Sequence, residues 1–347
     1  MLSARCSLFA ALLLMASLTG NTLAAGSLSE MERQAIEARI SELQEEMGEL
    51  RQQLQADKSM ASQIAARTDE DAEQELDEAV DERRQLERAS AINPYAITTH
   101  RRNYWFPLSY NTHPNDEVFR EISDGSDSDR VEMKFQFSVK FNLMEDIFGD
   151  YGGDLNFGYT QRSWWQAFNA AASSPFRETN YEPEVFIDFD NRTSMLGWTN
   201  INNRLSFNHQ SNGRTGALSR SWNRLIFEST LVNDDWALTL APQWRIPEPE
   251  GKDDNPDIHK YLGYGDITVA RRFGGDNELS LMLLGNPSLG NMGTELDYSW
   301  PLFGSVRGHV QYYHGYGESL IDYDQRTNRL SLGFSLNPLF SGRSLEP

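Results

Sequence analysis

The chain has 347 residues, 39% of them hydrophobic and 24% charged, with one cysteine and a formal net charge of −20. That charge argues against nucleic acid as a partner, because a phosphate backbone is bound by clustered Lys and Arg. The mature chain has no run of about eighteen apolar residues, so helical membrane spans are excluded and only strands could cross a bilayer.

Residues 1–24 have the layout of a secretory signal. Arg5 supplies the positive start, Leu8 to Leu18 is an apolar run too short to span, and Thr22, Ala24 and Ala25 offer small residues for cleavage. Cys6 lies within this segment, so the processed chain has no thiol and no disulfide. That is compatible with an oxidising compartment.

Residues 26–90 differ in character. Ile36, Ile40, Leu43, Met47, Leu50 and Leu54 repeat at alternating steps of four and three, the seam of a coiled coil. Asp69 to Ala89 is poor in large apolar groups and strongly acidic. The segment carries 18 acidic and 8 basic residues, a net of −10 and half of the whole charge. Two readings stay open: a periplasmic coiled coil that oligomerises or spaces the protein, or a solvated, partly disordered acidic arm. Over 61–90 the solvated arm is the better fit.

From residue 95 to 340 the period becomes two. Val131, Met133, Phe135, Phe137, Val139, Phe141 and Leu143 alternate with Glu132, Lys134, Gln136, Ser138, Lys140 and Asn142. One face is apolar and the other charged or polar, over the length of a tilted transmembrane strand. Twelve such strands are expected, at 103–111, 130–143, 153–165, 181–190, 198–212, 219–232, 235–246, 259–272, 277–286, 292–300, 305–317 and 327–340. The fold class is therefore all-β, a 12-stranded antiparallel transmembrane β-barrel preceded by a helical, partly coiled-coil segment. An even number of antiparallel strands closes without an edge, as lipid requires. A soluble sandwich is the competing architecture. Long strands, a charged second face, and Trp and Tyr near strand ends argue against it. Phe340 falls where such barrels place a terminal aromatic residue, and a tail, 341–347, follows it.

Residues 204–231 read as a hairpin with polar groups on its apolar face. Leu205, Phe207, His209 and Ser211 share one side of the first arm, and Asn223, Leu225 and Phe227 share one side of the second. A histidine, a serine and an asparagine among apolar groups cost free energy in a soluble core. On a lipid-facing wall they form the set for acyl transfer: a nucleophile, a base and a group that orients the base.

The strings SFNHQSNGR (206–214) and SRSWNR (219–224) resemble the outer-membrane phospholipase A family of Gram-negative bacteria. YTQRSWWQ (159–166), SSPFRETNYEP (173–183), DDNPDIHKYLGY (253–264) and GYGESLIDY (315–323) do so as well, in the same order. The resemblance covers the C-terminal 250 or so residues and does not extend to 26–90. It implies a phospholipase of A1 and A2 activity, acting on phospholipids and lysophospholipids in the bacterial outer membrane, with the N-terminal arm in the periplasm. Ser211 would be the nucleophile, His209 the proton acceptor, Asn223 the residue that orients His209, and Gly213 the donor of an oxyanion-stabilising backbone N–H. Asparagine lends no charge to the imidazolium, which implies a modest general base and activity greatest at neutral to alkaline pH.

By the same resemblance, Ca2+ supplies the missing electrostatic help, one ion per active site at the interface of a homodimer. Its expected ligands are the Arg214 carbonyl, Ser219, and Ser173 of the second subunit. Dimerisation would complete the metal site and so activate the enzyme. Gln161 is an expected dimer contact; the family places this residue inside the barrel, whereas parity puts it on the lipid-side stripe with Tyr159. The alternative is a catalytically silent barrel acting as a pore or an envelope tether.

Overall fold

The computed structural model describes residues 31, 34, 38, 39, 41–55, 58, 98–249 and 251–336. The expected signal at 1–24, most of the acidic arm, Phe340 and the tail 341–347 lie outside the described residues. The chain divides into two units, Met1–Glu70 and Asp71–Pro347. In the first, residues 41–55 are helical (α1), and the stripe of Leu43, Met47, Leu50 and Leu54 is exposed.

The second unit is a closed antiparallel barrel. Its strands are β1 (Thr98–Thr99), β2 (Asn103–Asn111), β3 (Val131–Met144), β4 (Asp154–Trp165), β5 (Phe176–Met195), β6 (Trp198–Ser211), β7 (Ser221–Asn233) and β8 (Trp236–Ile246). They continue as β9 (Gly265–Phe273), β10 (Asn277–Asn286), β11 (Asn291–Phe303), β12 (Val306–Gly315) and β13 (Thr327–Leu336). Two short helices, α2 (Asp116–Ile122) and α3 (His259–Leu262), lie in the connections. From β2 onward each strand pairs with its sequence neighbour, and β13 closes onto β2. β1 pairs with β3 at Lys140 and Val139, past the point where β2 pairs with Gln136. β1 and β2 are thus one interrupted stave, and the barrel has twelve.

The expected strands appear with two corrections. β5 runs from Phe176 to Met195 rather than over 181–190. Its start shows no alternation because Arg177 and Glu178 are consecutive and both buried. The expected strand at 259–272 begins only at Gly265; His259–Leu262 is a helical turn. Gly263 then turns the chain into β9 with φ of +68°, and a Cβ there would lie 1.8 Å from the Gly285 carbonyl oxygen. Only glycine fits that approach.

Parity decides what faces lipid. Phe137, Phe207, Phe227, Leu279, Leu281, Leu330 and Leu332 point outward and are exposed, while Lys134, Ser138, Asn208, Arg224, Ser299 and Arg329 point inward and are buried. Many of the interior charges are paired. Glu132 meets Arg177 at 3.0 Å and Arg329 at 2.7 Å; Glu318 meets Lys134 at 3.0 Å and Arg329 at 2.8 Å. Unpaired, each buried ion would cost several kcal/mol. The network sets charged side chains from separate staves against one another inside the barrel.

The two ends of the barrel differ. At one, two-residue turns such as Leu196-Gly197 and Asp234-Asp235 join the strands. Leu196 and Gly197 take φ of 56° and 80°, the left-handed pair that suits a tight hairpin. At the other end the connections 112–130, 166–175, 212–220, 247–264 and 316–326 are long. The last of these folds back over the barrel mouth: Leu320 N–H donates to Asn180 Oδ1 at 3.0 Å and Ile321 N–H to Glu178 Oε1 at 3.2 Å. Leu320 and Tyr323 then pack with Trp222 and Ile258 in a small apolar cluster.

Candidate active site

The site is built where the β6–β7 hairpin reaches the long-loop end. In the ladder His209 stands opposite Asn223, and Ser211 opposite Ser221. His209 Nδ1 lies 2.9 Å from Asn223 Oδ1. His209 follows Leu205 and Phe207 at two-residue steps, so it shares their outward face; Ser206 and Asn208 between them are buried inside. Asn223 shares its face with Leu225 and Phe227 in the same way, while Trp222 and Arg224 point inward. His209, Ser211 and Asn223 are each half-buried. Among the described residues no hydrogen bond joins Ser211 Oγ to His209. Catalytic hydrogen bonds are commonly long in substrate-free sites and tighten on binding.

The outward residues are held from inside. Trp222 donates its Nε1–H to Gln210 Oε1 at 2.8 Å and lies 4.2 Å beneath the Arg224 guanidinium. The turn 212–220 is organised by Asn212, a residue that the sequence patterns do not single out. Its Oδ1 accepts the Arg214 and Arg220 N–H groups at 3.2 and 3.0 Å, and its Nδ2 donates to the Leu218 carbonyl at 2.9 Å. Gly213 takes φ of +65°, and a Cβ there would stand 3.1 Å from the Tyr181 ring.

The expected metal ligands fall around this turn. The Arg214 guanidinium donates to the Arg177 carbonyl at 2.6 Å and reaches Glu178 Oε2 at 3.4 Å. With the side chain tied to β5, the main-chain carbonyl is what Arg214 has to offer a cation. Ser219 Oγ donates to Asp254 Oδ2 at 2.6 Å, and Ser221 Oγ reaches the same oxygen at 3.3 Å. Carbonyl, hydroxyl and carboxylate oxygens form the hard donor set that calcium takes. Among the described residues no group of three His, Cys, Asp or Glu is placed to hold a metal, so a cation here would draw on neutral oxygens beside Asp254. Ser173 is exposed in the 166–175 loop with φ of +61°, and among the described residues it makes no hydrogen bond to Arg214 or Ser219. Gln161 stands opposite the exposed Phe137 on the outward face, accepts from Tyr159 OH at 3.2 Å and donates to Ser163 Oγ at 3.3 Å. It is not inside the barrel. Asp254 and Glu248 join the site from the β8–β9 connection, and neither shows in the strand pattern; only the DDNPD string marks the first.

The fold and the site together define a membrane-type β-barrel with a histidine, a serine and an asparagine on its outer wall. Residues 80–336 match the family model for phospholipase A1. The chain is 39% identical over 248 residues to phospholipase A1 of Klebsiella pneumoniae, covering 72% of this chain and 85% of that one. The Escherichia coli K12 enzyme is also 39% identical over 248 residues, with 72% and 84% covered. The solved outer membrane phospholipase A of E. coli superposes with a TM-score of 0.67 at 37% identity, covering 71% of this chain and all of that one. A Salmonella typhi outer membrane phospholipase dimer with bound calcium superposes at 0.66, with 37% identity and 72% and 95% covered.

The chain belongs to the outer-membrane phospholipase A family. It is an enzyme that hydrolyses phospholipid esters, and its place is the bacterial outer membrane.

Proposed function

We propose that Ser211, His209 and Asn223 carry out this hydrolysis, with calcium and a second copy of the chain completing the site. The observation that carries the reading is the 2.9 Å contact between His209 Nδ1 and Asn223 Oδ1 on the lipid-facing wall. An amide oxygen accepts only, so Nδ1 carries the proton and Nε2 is left as the base. Ser211, two residues on along the same face, attacks the ester carbonyl of an acyl chain lying against Phe207 and Leu225. His209 Nε2 takes the serine proton and returns it to the departing alcohol. Water then cleaves the acyl-serine by the same base, releasing the fatty acid. The Gly213 N–H, held in the left-handed region, is the proposed donor to the oxyanion.

Calcium, when bound, would stabilise the negative charge that develops on the carbonyl oxygen. The Arg214 carbonyl, Ser219 Oγ and the adjoining Asp254 supply oxygens from this subunit, and Ser173 is the proposed ligand from the partner. The exposed position of Ser173 supports that role, since a ligand given to another subunit must stand clear of its own. An E. coli variant in which an active-site asparagine is replaced by alanine is among the similar structures, which supports the role given to Asn223. The site's position at the long-loop end supports action in the outer leaflet, because such barrels keep short turns on the periplasmic side. The ion network in the lumen disfavours a passive pore.

The test is fatty-acid release from mixed phospholipid micelles, with calcium or with chelator, by the parent and by Ser211→Ala. The variant should lose at least ~10³-fold, as removal of a triad member does. Equal release by variant and parent would overturn the assignment.

A further inference from the structure

The contact that orients His209 is itself ambiguous until something orients Asn223. A side-chain amide can present either its oxygen or its nitrogen to a neighbour. If Nδ2 faced the imidazole, Nδ1 would have to accept, the ring proton would move to Nε2, and Ser211 would meet a donor instead of a base. Asn223 Nδ2 lies 3.3 Å from Glu248 Oε1. An ionised carboxylate accepts and cannot donate, so that contact is favourable only when the amide nitrogen faces Glu248 and the oxygen faces His209.

We propose that Glu248 is a positioning residue of this enzyme: it acts through Asn223 to hold the His209 tautomer that can deprotonate Ser211. The proposal rests on the roles given above to Ser211, His209 and Asn223. Glu248 sits two residues beyond the end of β8, and Ile246 at that end pairs with Asn223 in the ladder. Prolines flank it at 247 and 249. Pro247 fixes its own φ, and Pro249 keeps Glu248 out of the helical region, so the carboxylate is carried on stiff, extended backbone. Its charge stands one amide away from the imidazole. It thus offers the forming imidazolium part of the negative field that an asparagine alone does not give.

The test compares turnover and KM on mixed micelles, with calcium, for the parent, Glu248→Ala, Glu248→Gln, Asn223→Asp and the double variant Asn223→Asp with Glu248→Gln. Glu248→Ala should lower kcat by about tenfold, the size of one hydrogen bond to a charged group, with KM unchanged. Glu248→Gln, whose amide oxygen still accepts, should lose about threefold. Asn223→Asp sets a second carboxylate against Glu248 and should lose at least about tenfold, because like charges at that distance cannot both ionise freely. The decisive result is the double variant. Glu248→Gln, harmful in the parent, should raise kcat in the Asn223→Asp background, because its amide can donate to the new carboxylate. A residue that merely stabilises the loop would not reverse sign in this way.

Parent-like kcat in Glu248→Ala, parent-like kcat in Asn223→Asp with Glu248 in place, or a double variant no better than Asn223→Asp would each overturn the proposal. Ser211→Ala, run beside them, separates the two levels. If it is inactive while the Glu248 variants behave as the parent, only the role of Glu248 falls. If it is fully active, the underlying triad falls.

Discussion

Trp222 and Asn223 are consecutive in β7 and face opposite ways: Trp222 into the barrel, against Ile258, Leu320 and Tyr323, and Asn223 outward, against His209. The two-residue period of a strand imposes that division. One backbone segment therefore links an apolar cap at the barrel mouth to the orientation of His209 on the outer wall. The cap segment 316–326 touches neither Ser211 nor His209 among the described hydrogen bonds, yet it packs on the strand end that carries their partner.

Thinning the cap should therefore cost both stability and turnover. Leu320→Ala removes a fully buried side chain, with an expected cost of ~2–5 kcal/mol. Denaturant unfolding in detergent should show a lower midpoint, and kcat should fall below that of an equally destabilising change at the short-turn end. Parent-like kcat alongside a lowered midpoint would show that the cap serves the fold alone.

The proposed calcium dependence should be movable by one hydroxyl. Ser219→Ala removes the hydroxyl that donates to Asp254 and is a proposed calcium ligand. The calcium concentration giving half-maximal activity should rise about tenfold or more, while activity at saturating calcium falls less. Titration of fatty-acid release against free calcium reads this directly. An unchanged midpoint would remove Ser219 from the ligand set.

The cap should also loosen in alkali. Burial, then the hydrogen bond to Asp257 at 2.6 Å and that carboxylate's charge, push the Tyr323 phenol above its ordinary value. A raised acid favours its protonated form in the folded state. Its contribution is thus complete below the unfolded value of about 10 and is lost as pH rises beyond it. Trp fluorescence followed from pH 8 upward should report an alkaline transition in the cap. Tyr323→Phe, which has no proton to lose, should remove that transition or move it to higher pH. An unchanged transition in Tyr323→Phe would assign it to another group.

Much of this was legible before folding. Wherever one face meets lipid and the other a charged lumen, alternation marks the strand and its sides at once. That is why Phe207, His209, Leu225 and Asn223 could be assigned to one wall from spacing alone, and why the inward placement of Lys134, Arg204 and Arg224 follows from the same rule. The rule fails where both of two neighbouring side chains are buried, as at Arg177 and Glu178, and where a connection supplies the contact. The start of β5 and the helical turn at 259–262 were hidden for those reasons.

The amino-acid sequence by itself determined the closed sheet, its inside and its outside, and the placing of His209, Ser211 and Asn223 on one wall, because these depend on a local two-residue period. Only the tertiary structure decided which distant groups meet that set. Glu248 reaches Asn223 across 25 positions, Asp254 reaches Ser219 across 35, and the 316–326 cap packs on Trp222. Such meetings depend on how irregular connections cross the barrel mouth, and no periodicity in the chain encodes where an irregular connection comes to rest.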